Sequence, residues 1–345
     1  MKNIFEQNLD DVVNADFIPI EKLKGKTLFV TGATGLIGHT LVSSLIRANE
    51  VKNTHIKILA LVRNIERARE RFKNVSKRGC DAECLGLHFV EGSVEEFCLD
   101  NVKEKFRYSD YNNKIDYIVH GASNTSSMGF IRNPVETIET AVIGTRNMLE
   151  VAKYCHVEGF VYLSSMEVYG HPAKGHKVTE SEMGGLSSLD VRNSYPISKQ
   201  LCEAMCIAYY KEYGLSAKII RLAQTFGPDV SSSDGRIFAY LFKCVNEKKN
   251  IVLKTKGESE RSYLTSANAA TAVLAVLLNG ENGTAYNAAQ EESYCSISKM
   301  AEKIAEQYRL KVVYEIEDEE KNGFPQVIYM DMDTSRLRSL GWHTI

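Results

Sequence analysis

Thr27 to His39, TLFVTGATGLIGH, is the stretch whose reading decides the fold. Thr27 to Val30 is a short apolar run of the kind that makes a strand buried on both faces. It leads directly into Gly32, Gly35 and Gly38, behind which a helical apolar pattern begins. A glycine turn lets the backbone approach a ligand with no Cβ in the way, and the helix start behind it offers free N–H groups and a positive dipole end. A pyrophosphate fits there, against Gly32, Thr34, Gly35, Leu36, Ile37 and Gly38. The spacing is G-x-x-G-x-x-G, one residue longer between the first two glycines than in ordinary dinucleotide-binding dehydrogenases.

Working outward, 345 residues suffice for one large α/β domain with a smaller lobe, and 44% hydrophobic residues suffice for an ordinary core. A formal charge of −2 gives no electrostatic case for nucleic acid or an anionic membrane, so a small molecule is the expected partner. The eight cysteines show no paired metal spacing; Cys80 and Cys84, like Cys202 and Cys206, read as plain thiols, and no metal is expected. No signal peptide or long apolar span is read before the first strand, so the expected location is the cytoplasm.

Residues 1–25 carry Phe5, Leu9, Val12, Val13, Phe17 and Ile20, a series regular enough to predict a short helix packed on the main domain. A crossover helix over Leu41 to Asn49 leads to a second strand, Ile56 to Val62, which ends in Arg63. An acid at that strand end would bind both hydroxyls of a cofactor's adenosine ribose, whereas an Arg can pair with a 2′-phosphate. Arg63 therefore favours NADP over NAD, the alternative being a solvated Arg in an NAD protein. A charged helix is expected over Ile65 to Arg78. Further strands are predicted at Leu87 to Val90, Ile115 to Val119 and Phe160 to Leu163. Ser93 and Val94 follow the first of these, near the expected adenine, and Gly121, Ala122 and Ser123 follow the second. Helical spacing covers Pro134 to Val151. Alternating strands and helices of this length make a doubly wound parallel sheet, which binds ligands at the C-terminal ends of its strands. Ser165 and Glu167 stand at such an end.

Tyr195-Pro196-Ile197-Ser198-Lys199 opens the next helix, and its Tyr and Lys, four apart, share one face. An ammonium close to a phenol is expected to lower a pKa that is otherwise ~10 by roughly 1–3 units, making the pair a proton shuttle.

Taken together, the glycine turn, a Ser at a later strand end and Y-x-x-x-K about thirty residues on resemble the extended short-chain dehydrogenase/reductase family, in particular its nucleotide-sugar epimerases, dehydratases and decarboxylases. The likeness runs from about Lys24 to Trp342. It includes Asn133 to Thr145 (NPVETIETAVIGT), Ser164 to Gly170 (SSMEVYG), Arg221 to Asp229 (RLAQTFGPD), Asp234 to Phe238 (DGRIF), Gly257 to Tyr263 (GESERSY) and Leu340 to Trp342 (LGW).

The resemblance implies a Rossmann domain over 26–222 and a mainly nucleotide-sugar-binding α/β lobe over 223–345, interleaved with it. It implies a homodimer through the helices at Pro134 to Val151 and Tyr195 to Tyr210. Tyr195 would take the proton from the sugar's C4 hydroxyl, Ser165 would bond the same oxygen, and Lys199 would hold the nicotinamide ribose. Asn124, Gln224, Arg236 and Arg261 would contact the nucleoside-diphosphate sugar.

In thymidine-sugar 4,6-dehydratases of this family an Asp-Glu pair occupies the place of Met166-Glu167, whereas GDP-mannose dehydratases and UDP-glucuronate decarboxylases resemble this sequence in keeping the Glu, with a small hydroxyl residue before it. Met166 cannot donate a proton, whereas Glu167 remains able to act as a base at C5. Relatives also carry Asn at Ala141 and acids near Ser93 and Asn268, so a helix bulge with its relay water and the grip on adenine are the features placed in question. Three readings stay open: an NAD(P)-dependent nucleotide-sugar epimerase or dehydratase, an NADPH-dependent reductase of a keto group on a nucleotide-linked sugar or polyol, and a catalytically weak NADP-binding regulator.

Overall fold

The computed structural model describes residues 2–102, 114–125, 127–228, 230, 236–317 and 327–345. Its centre is a seven-stranded parallel sheet ordered β11-β7-β5-β4-β1-β2-β3. The strands are β1 (Thr27–Thr31), β2 (Lys57–Val62), β3 (Leu87–Glu91), β4 (Tyr117–His120), β5 (Gly159–Ser165), β7 (Ala217–Leu222) and β11 (Ala285–Ala288). Successive residues of a strand point to opposite faces. Leu28 and Val30 of β1 accordingly enter one core cluster and Phe29 the other. Both faces are covered, which is why β1 is a continuous apolar run rather than an alternating one.

On the first face lie the helices Leu36–Lys52 and Ser266–Asn279 together with the N-terminal helix Lys2–Asn14. Leu9, Val12 and Val13 of that N-terminal helix are buried, each worth roughly 1.5–3 kcal/mol. Arg47, fully buried, ties it down by pairing with Glu6 and Asp10. The second face carries Pro134–Tyr154 and Ser194–Tyr213.

The chain reverses direction across the sheet between β1 and β4, the two strands whose connections leave toward opposite edges. A crevice opens at their C-terminal ends, where such sheets bind ligands.

A second sheet, β12-β10-β14-β6 with β8 on β10, builds the smaller lobe from β6 (Lys177–Val178), β8 (Gln224–Phe226), β10 (Glu260–Thr265), β12 (Gln290–Ser296) and β14 (Tyr329–Met332). A small pair, β9 (Ile251–Leu253) with β13 (Val312–Tyr314), packs with the helices Ile237–Glu247 and Ile297–Tyr308 in a third cluster. The lobe is interleaved with the main sheet, since β11 and Ser266–Asn279 return to it.

Two expected elements differ most in extent. The first crossover helix is longer than its apolar pattern, Leu36–Lys52, because the glycine turn feeds straight into it. The charged helix stops at Phe72 instead of Arg78. There the Glu50 carboxylate accepts from the backbone N–H of Lys77 and Arg78 and from the Ser76 hydroxyl, turning the chain away from the helical path.

Candidate active site

One cavity of about 650 Å³ runs from the end of β2 across β1 to the end of β5 and under the smaller lobe. Its β1 end is bare backbone. Gly32 has φ +72°, and a Cβ there would lie 2.7 Å from the Gly121 backbone; at Gly38 it would lie 2.2 Å from the Gly32 carbonyl oxygen. No side chain caps the helix that starts at Leu36, so its first-turn N–H groups are left for a ligand. The flat cradle and open helix end fit a dinucleotide pyrophosphate.

Beneath the cradle, Thr31 Oγ1 accepts from the N–H groups of Gly121 and Ala122 at 3.2 and 3.1 Å and lies 2.7 Å from His120 Nδ1. The other ring nitrogen lies 3.2 Å from Thr145 Oγ1. Burial, helped by the Lys199 charge, pushes the His120 pKa down to about 3, so this imidazole is neutral. It fastens β4 to β1 and to the helix Pro134–Tyr154.

The β5 end is rich in side chains. Ser165 accepts from the Glu167 N–H at 3.2 Å, holding the short turn Met166–Tyr169 that presents Glu167. Burial raises the Glu167 pKa, while Arg261 and Arg192 pull it back. Lys199 Nζ donates to the Leu163 carbonyl at 2.7 Å, with the Tyr162 and Tyr195 ring centroids 4.6 and 5.6 Å away. Desolvation pushes the Lys199 pKa down to about 8. The phenyl ring of Phe130 lies flat on Tyr195, 4.3 Å between centroids and 3° between planes.

The expected lowering of the Tyr195 pKa by Lys199 is therefore not what the pocket produces. Burial dominates and pushes the phenol up, the Glu167 carboxylate adds to this, and the nearby Ser165 hydroxyl and Arg236 oppose it. Lys199 is not among the groups that shift the phenol.

From the smaller lobe, Arg261 Nη1 donates to Gln224 Oε1 at 2.9 Å, and its buried Nε has no partner among the described residues. A buried guanidinium with a spare donor is suited to an anion.

A family profile described as "NAD dependent epimerase/dehydratase family" matches residues 28–289. The chain belongs to the NAD dependent epimerase/dehydratase family. Among curated relatives, a UDP-glucuronic acid decarboxylase 1 of Xenopus tropicalis is 26% identical over 261 residues, 74% of this chain and 55% of that protein. A dTDP-D-glucose 4,6-dehydratase of Dictyostelium discoideum is 26% identical over 281 residues, covering 79% and 59% of the two chains. The chain spans about half the length of the curated relatives it matches. The fold is that of the UDP-glucose 4-epimerase of Thermotoga maritima, with TM-score 0.73, 20% identity and 92% and 93% of the two chains covered.

In this member of the family, the expected site residues gather on the one cavity. They are Gly32, Thr34, Gly35, Leu36, Ile37, Gly38, Arg63, Ser93, Val94, Gly121, Ala122, Ser123, Asn124, Ser165, Glu167, Tyr195, Lys199, Gln224, Arg236 and Arg261. Asp229, Asp234 and Gly235 of the quoted motifs lie outside the described residues.

Three expectations about missing groups are resolved. Near Ser93 an acid does reach the cavity, Glu95, with its carboxylate accepting from Thr140 Oγ1. At Ala141 the helix runs unbroken, and the Ala141 carbonyl accepts from the Cys202 thiol at 3.2 Å. Asn268 uses its amide where a carboxylate has no donor: Nδ2 donates to Thr265 Oγ1 at 2.9 Å, and Oδ1 accepts from the Ile345 N–H at 2.8 Å.

Sequence reasoning missed Phe130 and Arg192. Neither carries a local signal, since each reaches the site by packing of the segment Ser127–Arg132 against Val191–Asn193.

Proposed function

We propose that the protein is an NAD(P)-dependent enzyme that oxidises C4 of a nucleoside-diphosphate sugar and then carries out chemistry at C4 or C5. The observation that carries this reading is that Ser165, Glu167, Tyr195, Arg236 and Arg261 meet at one end of a cavity whose other end is the glycine cradle. Gly32 to Gly38 would hold the pyrophosphate, Ser93 and Val94 would lie at the adenine, and Lys199 and the Gly121–Ser123 segment would lie at the nicotinamide side. When bound, the cofactor supplies a hydride acceptor for C4.

Tyr195 takes the C4 hydroxyl proton in its ionised form, the form that burial disfavours, and Ser165 bonds the same oxygen. Glu167, its pKa raised by burial, is tuned toward the working pH as a base for the C5 proton that a C4 ketone acidifies. Arg261 and Arg236 pair with the diphosphate, with Asn124 and Gln224 beside them, and the lobe over 223–345 is the nucleotide-sugar half.

Met166 supports a choice among outcomes. It has no proton for a departing C6 hydroxyl, whereas loss of a C6 carboxylate as CO2 from a 4-keto uronate needs no acid there. Curated relatives that are UDP-glucuronic acid decarboxylases make that sugar the first substrate to try. The test is turnover of UDP-glucuronate, UDP-glucose, dTDP-glucose, GDP-mannose and a CDP-sugar with NAD and NADP each present; no product from any of them overturns the reading. On a substrate whose C5 proton must leave, a base must be unprotonated, so kcat/KM falls as pH drops through the raised Glu167 pKa, and Glu167→Gln removes that limb and most C5 chemistry. A retained limb excludes Glu167 as the base.

A second reading, net reduction of a keto group with NADPH, is supported by Arg63 standing exposed at the end of β2. Stoichiometric NAD(H) retained through purification would count against it. Exposed Val135, Ile138, Ile143 and Leu201 on Pro134–Tyr154 and Ser194–Tyr213 support a homodimer, refuted by a monomer mass in sedimentation at micromolar concentration. The eight cysteines, none in a disulfide, suit a reducing cytoplasm. Among the described residues no helix is long and apolar enough to cross a membrane.

A further inference from the structure

Arg221, in the RLAQTFGPD stretch, has no part in the chemistry above, yet it is only 4% exposed and makes the densest set of polar contacts behind the cavity. Its Nε and Nη2 grip the Glu203 carboxylate at 3.0 and 2.7 Å, a two-pronged ion pair in which Glu203 is also 4% exposed. Neither residue lines the cavity.

What the pair holds is the machinery. Glu203 lies on the helix Ser194–Tyr213, four residues after Lys199 and eight after Tyr195, and so shares their side of the helix. Glu203 Oε1 accepts from the Ser164 hydroxyl at 2.5 Å, one residue before Ser165, and Ser164 is the β5 partner of Arg221 in the sheet register. Arg221 Nη1 donates to Tyr169 Oη at 2.9 Å and to the Glu180 carbonyl at 3.1 Å. Tyr169 ends the turn that carries Glu167 and donates in its turn to Asn287 Oδ1 at 2.6 Å on β11. Two chain segments, Ser164–Tyr169 with Ser165 and Glu167 and the helix Ser194–Tyr213 with Tyr195 and Lys199, thus converge on one buried ion pair.

We propose that Glu203 and Arg221 are positioning residues that set the mutual geometry of Ser165, Glu167, Tyr195 and Lys199, with Tyr169 as the arm that reaches the Glu167 turn. As far as it concerns turnover, the proposal rests on the nucleotide-sugar reading; as far as it concerns geometry, it does not. A buried pair replaced by apolar residues of similar volume often leaves stability unchanged, whereas removing one partner strands a charge. The informative variant is therefore the double replacement Glu203→Leu with Arg221→Met, with Tyr169→Phe as a milder one that keeps the ring.

Two readouts are taken on the full chain well below the unfolding temperature. Hydrogen exchange of the Ser164–Tyr169 and Tyr195–Lys199 amides rises in both variants while exchange of β1 and β2 does not. Once wild type shows turnover that Tyr195→Phe abolishes, the double variant loses about 10- to 100-fold in kcat with KM within about threefold, since misplacing reacting groups by about 1 Å costs on that order. Tyr169→Phe loses less. Wild-type exchange in both variants overturns the proposal whether or not the protein turns over a nucleotide sugar, as does a folded double variant with wild-type kcat. Absence of wild-type turnover with raised exchange counts against the functional reading and leaves the positioning role supported.

Discussion

The two strand ends that meet in the cavity are built on opposite plans. At the end of β1 the contacts come from backbone: Gly32 and Gly38 bring chain segments so close that a Cβ would fall 2.7 and 2.2 Å from a neighbour, and an uncapped helix start faces the ligand. At the end of β5 the cavity is lined by the functional side chains of Ser165, Glu167, Tyr195 and Lys199, and these are held from behind by Glu203 and Arg221. The first plan tolerates no added atom at Gly32 or Gly38; the second tolerates local change at the cavity and depends on residues that never touch it. Damage to the first should therefore abolish binding, and damage to the second should slow chemistry while binding survives.

The largest expected effect is on the second plan. Tyr195→Phe keeps the ring on Phe130 and removes only the phenol proton carrier, so turnover falls about 10²- to 10⁴-fold while cofactor affinity by calorimetry is unchanged. A matching loss of cofactor affinity would erase the contrast. Next is the first plan. Gly38→Ala drives a methyl into the Gly32 carbonyl, so the turn opens and NAD(P) affinity falls about 100-fold or more, a loss of roughly 3 kcal/mol. Tight NAD(P) binding by this variant would show that the cradle is not the pyrophosphate site.

The same contrast explains what the sequence made legible. The β1 plan is local: strand, glycines and helix are adjacent in the chain, and β2, β4 and β5 show as buried apolar runs for the same reason β1 does. Ser165, Glu167, Tyr195 and Lys199 were legible as residue types, but their electrostatics were not. The rise of Tyr195 and the fall of Lys199 both come from burial, a property of packing that a four-residue spacing does not encode. Arg192, Phe130 and the Glu203–Arg221 pairing join residues far apart in the chain. The short strands β8, β9 and β13, three residues each, are too brief to show any period.

Phe130 tests whether packing sets the phenol's behaviour. Phe130→Leu keeps an apolar side chain but uncovers one face of Tyr195, which admits water and relieves part of the burial that raises its pKa. A group raised by burial falls when water enters, so the limb of kcat/KM that rises with pH as the phenol ionises moves to lower pH. Looser placement of the ring lowers kcat about tenfold. An unmoved limb with a lower kcat would mean that Phe130 only fills space.

Arg63 supplies the smallest effect and a third kind of strand end, one exposed side chain beside Leu61 and Val62 on the cavity wall at β2. A guanidinium there can pair with a 2′-phosphate, but water screens an exposed pair, so its worth is about 1 kcal/mol. Arg63→Ala should therefore weaken NADP about five- to tenfold and leave NAD untouched, because NAD offers nothing for the guanidinium to grip and the pyrophosphate cradle that holds both is unchanged. Competition titration of the two cofactors against one fluorescent reporter measures the ratio directly. Equal loss for both would move Arg63 from the ribose to the pyrophosphate, and the cradle would then rely on a side chain after all.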